Sequence, residues 1–348
     1  MARYALLLLP SANRVYTDAA VGLAASELAV FSETVLGGAL SKAEPTELGG
    51  VPYLQFEADG IGPRELGLLA NVSSIYALFE VCEEGGLLRP LGLRSLDRYD
   101  DDLITIQKYQ GKTNEQFTKL LLNVTVLASA FAGDLAERKL AVLDPLCGRG
   151  TTLNQALMYG YDAAGVEADR QDIEAYGTFI KTWLKRKRIK HKVEYDAPVR
   201  REGKVIGRRL QVTMAQSKHE QKAGRTQRLD VVCADTVRTG DFFRPETFDV
   251  VVTDAPYGVQ HGSRNAAGGL ARRPQDLLAA AVPVWARLLR PGGALGISWN
   301  TLVAARHDVA AICAAAGLEP AESGPYLEFR HRVDQAIVRD ILIARKLA

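Results

Sequence analysis

The apolar and polar positions of this chain follow two periods, one of strands and one of helices. Tyr4 to Leu9 is an apolar run of strand length, and Thr17 to Phe31 spaces its apolar residues as a helix does, with Thr17 or Asp18 as its cap. A loop holding Gly37, Gly38, Gly49 and Gly50 follows. Val51 to Glu57 then reads as a strand, Gly62 to Ala70 as a helix with Pro63 in its first turn, and Ser74 to Val81 as a further strand. The sum is close to β-α-β-β-α-β, the order of a ferredoxin-like unit. Residues 1–100 are therefore expected to form a small α/β domain that holds a substrate, and the acidic stretch Asp97 to Asp102 marks a linker.

Residues 101–348 follow a different plan. After a short strand or turn at Ile104, a helix is expected with Phe117, Leu120, Leu121, Val124 and Leu127 on one stripe, and Thr113 and Asn114 at its N-terminal end. Strands are placed at Leu140 to Asp144, Asp162 to Glu167, Leu229 to Asp235, Phe248 to Thr253 and Ala294 to Trp299. Helices fill the gaps at Thr152 to Tyr159, Arg170 to Trp183, Pro274 to Leu289 and Val303 to Ala316. Such alternation means a parallel, doubly wound, Rossmann-like sheet. Pro291, Gly292 and Gly293 read as a turn between helix and strand. A closing pair, Tyr326 to Arg330 and Ala336 to Ala344, makes the last strand antiparallel.

Charge changes the picture in one segment. The net charge of +2 hides an insertion, residues 181–228, with 16 Lys or Arg against 4 Asp or Glu, which leaves 27 against 37 elsewhere. Its KRKRIKHK run and its hairpin-like RREGKVIGRR stretch are both expected beside the ligand edge of the sheet. A basic arm over an acidic site points to a polyanion, most commonly nucleic acid. Cys82, Cys147, Cys233 and Cys313 are scattered with no C-x-x-C and no nearby His pair, which indicates neither a disulfide framework nor a zinc site and fits a cytoplasmic protein. No segment approaches the roughly 18 apolar residues of a membrane span.

The chemistry starts at AVLDPLCGRGTT, Ala141 to Thr152. A strand ends in Asp144, and a turn carrying Gly148 and Gly150 leads into a helix. Glycines let a ligand approach the backbone, as in a nucleotide pocket. The dinucleotide fingerprint wants a third glycine where Leu153 stands, and an acid at the mouth would repel a diphosphate. S-adenosylmethionine, whose methionine end is cationic and which carries no phosphate, matches better. Glu167 ends the next strand at the spacing that reaches ribose hydroxyls, and Asp235 ends the third. The fourth ends in TDAPYG. There Asp254 can accept a hydrogen bond from an amino group, a carbonyl in the turn can take the second hydrogen, and Tyr257 offers a face to a planar base. His261, just beyond, reads as a loop residue.

DPLCGRGT together with TDAPYG resembles the class I S-adenosylmethionine methyltransferases that modify amino nitrogens, with motifs D-P-x-x-G-x-G-T and [DN]-P-P-Y. The likeness covers about Lys108 to Ala348, and the domain order is most similar to the tRNA guanine-N2 methyltransferases, whose N-terminal region carries an RNA-binding THUMP domain. The resemblance implies a seven-stranded sheet, S-adenosylmethionine as cofactor and RNA, most often tRNA, as partner. It implies that Asp144 holds the methionine amino end, that Gly148 and Gly150 allow backbone approach, and that Glu167 binds the ribose and Asp235 the adenine amino group. Thr113, in KYQGKTNEQF, would touch the cofactor carboxylate, and Asp254, Pro256 and Tyr257 would form the base site. The chain departs from the pattern at Ala255, where proline is usual. A DNA adenine-N6 or cytosine-N4 methyltransferase shares the same acid, proline and tyrosine, and a non-catalytic RNA-binding module that keeps the cofactor fold is the alternative from another class. A dinucleotide oxidoreductase is disfavoured by Leu153.

Overall fold

The structure, a computed structural model, describes residues 1–10, 14–82, 86–256 and 274–348. The N-terminal part runs β1 (Ala2–Leu8), α1 (Arg14–Val35), β2 (Glu44–Leu48), β3 (Val51–Ala58), α2 (Pro63–Leu69), β4 (Ile75–Val81) and β5 (Leu88–Leu91). Its strands form one antiparallel sheet in the order β2-β3-β1-β4-β5. β2 and β5 add to the expected strands. Both lie at the sheet edges, where the polar sequences EPTEL and LRPL carry little hydrophobic signal. The expected glycine loop holds a hairpin turn: Gly49 and Gly50, at φ +58° and +80°, join β2 to β3 by the two-residue connection that only positive φ allows.

The second part runs α3 (Asp102–Thr105), α4 (Glu115–Ala128), β6 (Ala141–Asp144), α5 (Thr151–Met158), β7 (Asp162–Glu167), α6 (Arg170–Arg186), β8 (Lys190–Arg201), β9 (Lys204–Ala215), α7 (Lys218–Lys222) and β10 (Gln227–Cys233). It continues with β11 (Phe248–Asp254), α8 (Pro274–Leu288), β12 (Leu289–Asn300), α9 (Arg306–Ala315), β13 (Glu319–Pro320), β14 (His331–Arg332) and β15 (Val338–Arg345). The sheet order is β13-β15-β12-β11-β6-β7-β10-β9-β8, with β14 paired to β15. β12, β11, β6, β7 and β10 are parallel, and β15 is antiparallel to β12. The doubly wound sheet with an antiparallel last strand is thus present. It is wider than seven strands because the insertion is itself two strands. The order reverses between β6 and β11, which opens a crevice at their carboxyl ends.

Several local expectations are corrected. Tyr326 to Arg330 is not a strand: Gly324–Leu327 is a 3-10 turn started by Pro325, and β15 pairs instead with the two-residue β14 and β13. The Pro291-Gly292-Gly293 stretch lies inside β12. There β12 uses six residues, Leu289 to Ala294, where β11 uses only three, Phe248 to Val250, so the apparent turn is a bulge. A Cβ on Gly293 would meet the Asp249 carbonyl at 2.7 Å, which is why glycine stands there.

Helix α4 buries the predicted stripe and much more, including Leu122, Asn123 and Val126. It is sandwiched between the sheet and α1. One polar network crosses this junction. Glu27 on α1 is 0% exposed, and its carboxylate accepts from the Ser73 N–H (2.9 Å), the Ser73 hydroxyl (2.6 Å) and Asn123 Nδ2 (2.7 Å). Asn123 also donates to the Asn71 carbonyl (2.7 Å) and accepts from the Tyr159 hydroxyl (2.8 Å).

Candidate active site

Strand β6 delivers Asp144 to the crevice, and the chain then turns through Cys147 to Gly150 into α5. Gly150 is at φ +80°, and a Cβ there would meet the Tyr176 ring at 2.5 Å, so the position is closed to other residues both by conformation and by space. Gly148 is at φ +48°. The loop is tied down by the next strand end, where Glu167 accepts from the Gly148 N–H (3.0 Å) and from the Asp169 N–H (2.8 Å). Arg149 pairs with Asp172 (2.7 Å) and lies over the Tyr109 ring, whose hydroxyl is 3.1 Å from Thr151 Oγ1.

Asp144 is only 3% exposed. Its Oδ1 accepts from the Leu146 N–H (3.1 Å) and the Thr253 hydroxyl (2.9 Å), which ties β6 to β11 across the switch point. Burial pushes its carboxyl up to about 7, against these hydrogen bonds. Burial raises Glu167 as well. Asp235 lies two residues past the end of β10 rather than in it, exposed, capping a 3-10 turn by accepting from the Val237 N–H (3.1 Å).

On the other side of the crevice, β11 ends in Asp254. Its Oδ2 accepts from the Thr113 hydroxyl at 2.7 Å and lies 3.8 Å from the Arg339 guanidinium of β15. Thr113 therefore meets the acid of the fourth strand. Arg339 is 4% exposed and stacks over the Phe117 ring at 4.1 Å. Asn114 caps α4 as its sequence suggested, accepting from the Phe117 N–H (3.1 Å). Ala255 is buried and its N–H donates to the Ser298 carbonyl (2.8 Å), while Pro256 is exposed. Tyr257 and His261 lie outside the described residues. The structure thus brings Asp144, Gly148, Gly150 and Glu167 into one loop system, and Thr113 to Asp254.

Arg339 and His331 were missed from the sequence as site residues, although a signal existed. Arg339 and Asp340 interrupt the apolar run AIVRDILIA, and charges inside a buried strand need partners. Asp340 finds Arg306 (2.9 Å), and Arg339 finds Asp254.

The insertion is also repositioned. Since β9 pairs with β10 from Cys233↔Arg208 to Gln227↔Met214, the four residues Lys204 to Gly207 run past the carboxyl end of β10. The tip, closed by Glu202 and Gly203 at φ +50° and +78°, overhangs the carboxyl edge of the sheet beside β10 by about 13 Å at strand rise. The KRKRIKHK run sits at the opposite, amino end, because α6 runs back along the sheet before β8 begins. There Lys187 pairs with Asp100 (2.6 Å) and Asp102 (2.7 Å).

Among the described residues no group of three or more His, Cys, Asp or Glu is placed to hold a metal ion, and no helix is long and apolar enough to cross a membrane. Solved structures with similar folds include a TehB-like SAM-dependent methyltransferase from Corynebacterium glutamicum (18% identity, 62% of this chain and 84% of that one, TM-score 0.32). TrmN from Thermus thermophilus is 15% identical over 86% of this chain, which spans 57% of that chain's length (TM-score 0.39). An rRNA methylase from Streptococcus thermophilus is 8% identical over 69% of this chain and 100% of its own (TM-score 0.36). Likenesses this distant bear on neither activity nor substrate. No curated protein matches. Residues 127–289, from the end of α4 through the glycine loop, the insertion and β11 to the start of β12, match the UPF0020 family model, an RMKL-like methyltransferase domain. The matched stretch carries the glycine loop, the acids at and just past the strand ends and the reversed sheet order, which together support a class I S-adenosylmethionine-dependent methyltransferase domain with S-adenosylmethionine as its cofactor.

Proposed function

We propose that the chain methylates an exocyclic amino nitrogen of a nucleobase in RNA, with guanine-N2 of tRNA as the leading target. The observation that carries this reading is the Asp254 carboxylate, held by Thr113 at the end of β11, one strand across the switch point from the glycine loop. An acid fixed there accepts a hydrogen bond from an incoming amine and turns the nitrogen lone pair toward the cofactor side of the crevice.

The residues of the loop fit the cofactor. Gly148 leaves backbone that a ligand can approach, while Gly150 makes room for the Tyr176 ring that backs the loop; among the described residues no lysine or arginine pairs with Asp144, and Glu167 keeps lone pairs for ribose hydroxyls beyond the backbone N–H groups it already accepts. Asp235, exposed at the third strand end, takes the adenine amino group. When bound, S-adenosylmethionine supplies the electrophilic methyl. In this reading Thr113 is a positioning residue for Asp254, and Pro256 shapes the turn whose Tyr257 stacks on the base. Residues 1–100 hold the RNA as a substrate-binding domain of THUMP or ferredoxin-like kind, 101–348 form the catalytic domain, and the hairpin tip of the 181–228 insertion meets the phosphate backbone near the flipped nucleotide.

The deciding experiment is transfer of labelled methyl from S-adenosylmethionine to total tRNA, ribosomal RNA and DNA in parallel, followed by nucleoside analysis. Label in N2-methylguanosine from tRNA supports the reading in full. Label in DNA adenine-N6 or cytosine-N4 keeps the Asp254 chemistry and replaces the substrate. Cofactor binding with no label in any of the three overturns it.

A further inference from the structure

Beside Asp254 lies a cleft of about 260 Å3, lined by Tyr16, Lys112 to Glu115, His331 to Val333 and Arg339. One buried atom in it has no task in the reading above. The His331 ring is 8% exposed, and its Nδ1 lies 2.9 Å from the Phe329 carbonyl. A carbonyl only accepts, so Nδ1 carries the hydrogen, and the neutral ring has its lone pair on Nε2. Burial, helped by the nearby Arg339 cation, pushes the His331 pKa down to about 4, so the ring is neutral at physiological pH. Among the described residues Nε2 has no hydrogen-bond partner.

His331 also stands next to the base-site acid. It is the cross-strand partner of Arg339, and both side chains pack on Phe117, the imidazole at 5.3 Å between ring centroids and the guanidinium at 4.1 Å. Arg339 in turn reaches Asp254 at 3.8 Å. Two acceptors, the His331 Nε2 of a residue lining the cleft and the Asp254 carboxylate held by the lining residues Thr113 and Arg339, thus lie around one buried cation.

We propose that His331 is a specificity-determining residue, its Nε2 accepting a hydrogen bond from the ring N–H that neighbours the methylated amine. The proposal rests on Asp254 being the base-site acid. Guanine carries such an N–H at N1 beside its 2-amino group. Adenine and cytosine present a ring lone pair at the equivalent position, which would face the Nε2 lone pair with no proton between them. A buried acceptor left facing a lone pair rejects the wrong base.

The test compares tRNA assembled from two synthetic halves, with either guanosine or 2-aminopurine riboside at the nucleotide that label mapping identifies. 2-Aminopurine keeps the exocyclic amine and replaces the ring N–H by a lone pair. The wild type should prefer guanosine in kcat/KM by about 10- to 100-fold. His331→Asn keeps a donor for the Phe329 carbonyl but has nothing at Nε2, and should lose most of that preference with cofactor affinity and Tm unchanged. His331→Gln, whose amide reaches the Nε2 position, should recover part of it. Equal rates on both bases in the wild type, or an undiminished preference in a folded His331→Asn variant, overturn the assignment of His331. Full activity in Asp254→Ala instead overturns the base-site reading beneath it.

Discussion

Asp254 and Asp144 are both strand-end acids, but their surroundings give them different behaviour. Asp254 meets a hydroxyl and a guanidinium, so its charge is compensated where an amine must be received. Asp254→Ala should reduce methyl transfer by about 10²- to 10³-fold while calorimetry finds S-adenosylmethionine affinity little changed. Asp144 is buried with its carboxyl at about 7, above the ordinary carboxylate value. The folded apo chain therefore holds a proton that the unfolded chain releases near pH 4. That contribution to stability is complete below about pH 4 and lost as pH rises through 7, so apo Tm should fall over this window in the wild type and stay flatter in Asp144→Asn. Cofactor affinity should run the other way in the wild type, rising through about pH 7 as the carboxylate forms to meet the methionine ammonium, and the dependence should vanish in the variant. Gly150→Ala places a Cβ at φ +80° into the Tyr176 ring, and thermal melts should show a loss of about 1–3 kcal/mol with weaker cofactor binding. The acids and glycines of the loop were legible because their spacing is local. Arg339 was not, because its partner lies 85 positions away in the chain and no local pattern links them.

At the scale of elements, the insertion is the instructive case. Its basic residues were evident from composition, but their grouping depends on strand register. Arg200, Arg201 and Lys204 stand at the overhanging tip, whereas Arg186, Arg188 and Lys190 lie at the far end of the sheet. Changing the three tip residues to Gln should weaken tRNA binding and reduce the slope of log K against log salt by about 0.7 per charge removed. The same change at Arg186, Arg188 and Lys190 should leave the slope near its wild-type value. Equal effects of the two sets in filter-binding titrations would show that the tip has no special role. Charge alone would not have separated the two sets, since five of the sixteen cations, Lys187, Lys192, Arg201, Arg208 and Arg209, are already paired with Asp100, Glu194, Asp241, Asp196 and Asp230. The bulge in β12 makes the same point for backbone: Pro-Gly-Gly signals a turn locally, but tertiary pairing carries the strand through it.

For the whole molecule, the two sheets are joined through α4, and the Glu27 network is the polar part of that joint. Glu27→Ala leaves the Ser73 and Asn123 donors buried without their acceptor and should cost about 2–4 kcal/mol. Because the network links α1, the Asn71–Ser73 segment, α4 and Tyr159, calorimetry of the wild type should show a single transition, and the variant should melt earlier as one unit or split in two. Unchanged Tm would mean that apolar packing alone joins the two parts. The sequence by itself determined the alternation that makes the doubly wound sheet, the glycine loop, the strand-end acids and the basic segment, since each is written in residues near one another and follows from periodicity, φ preference or charge. Tertiary structure alone decided the widened sheet, the overhang of the hairpin tip, the burial of α4 on all sides, and the meeting of Thr113, Arg339 and His331 around Asp254. These depend on pairing between segments remote in the chain, where register and burial select the neighbours.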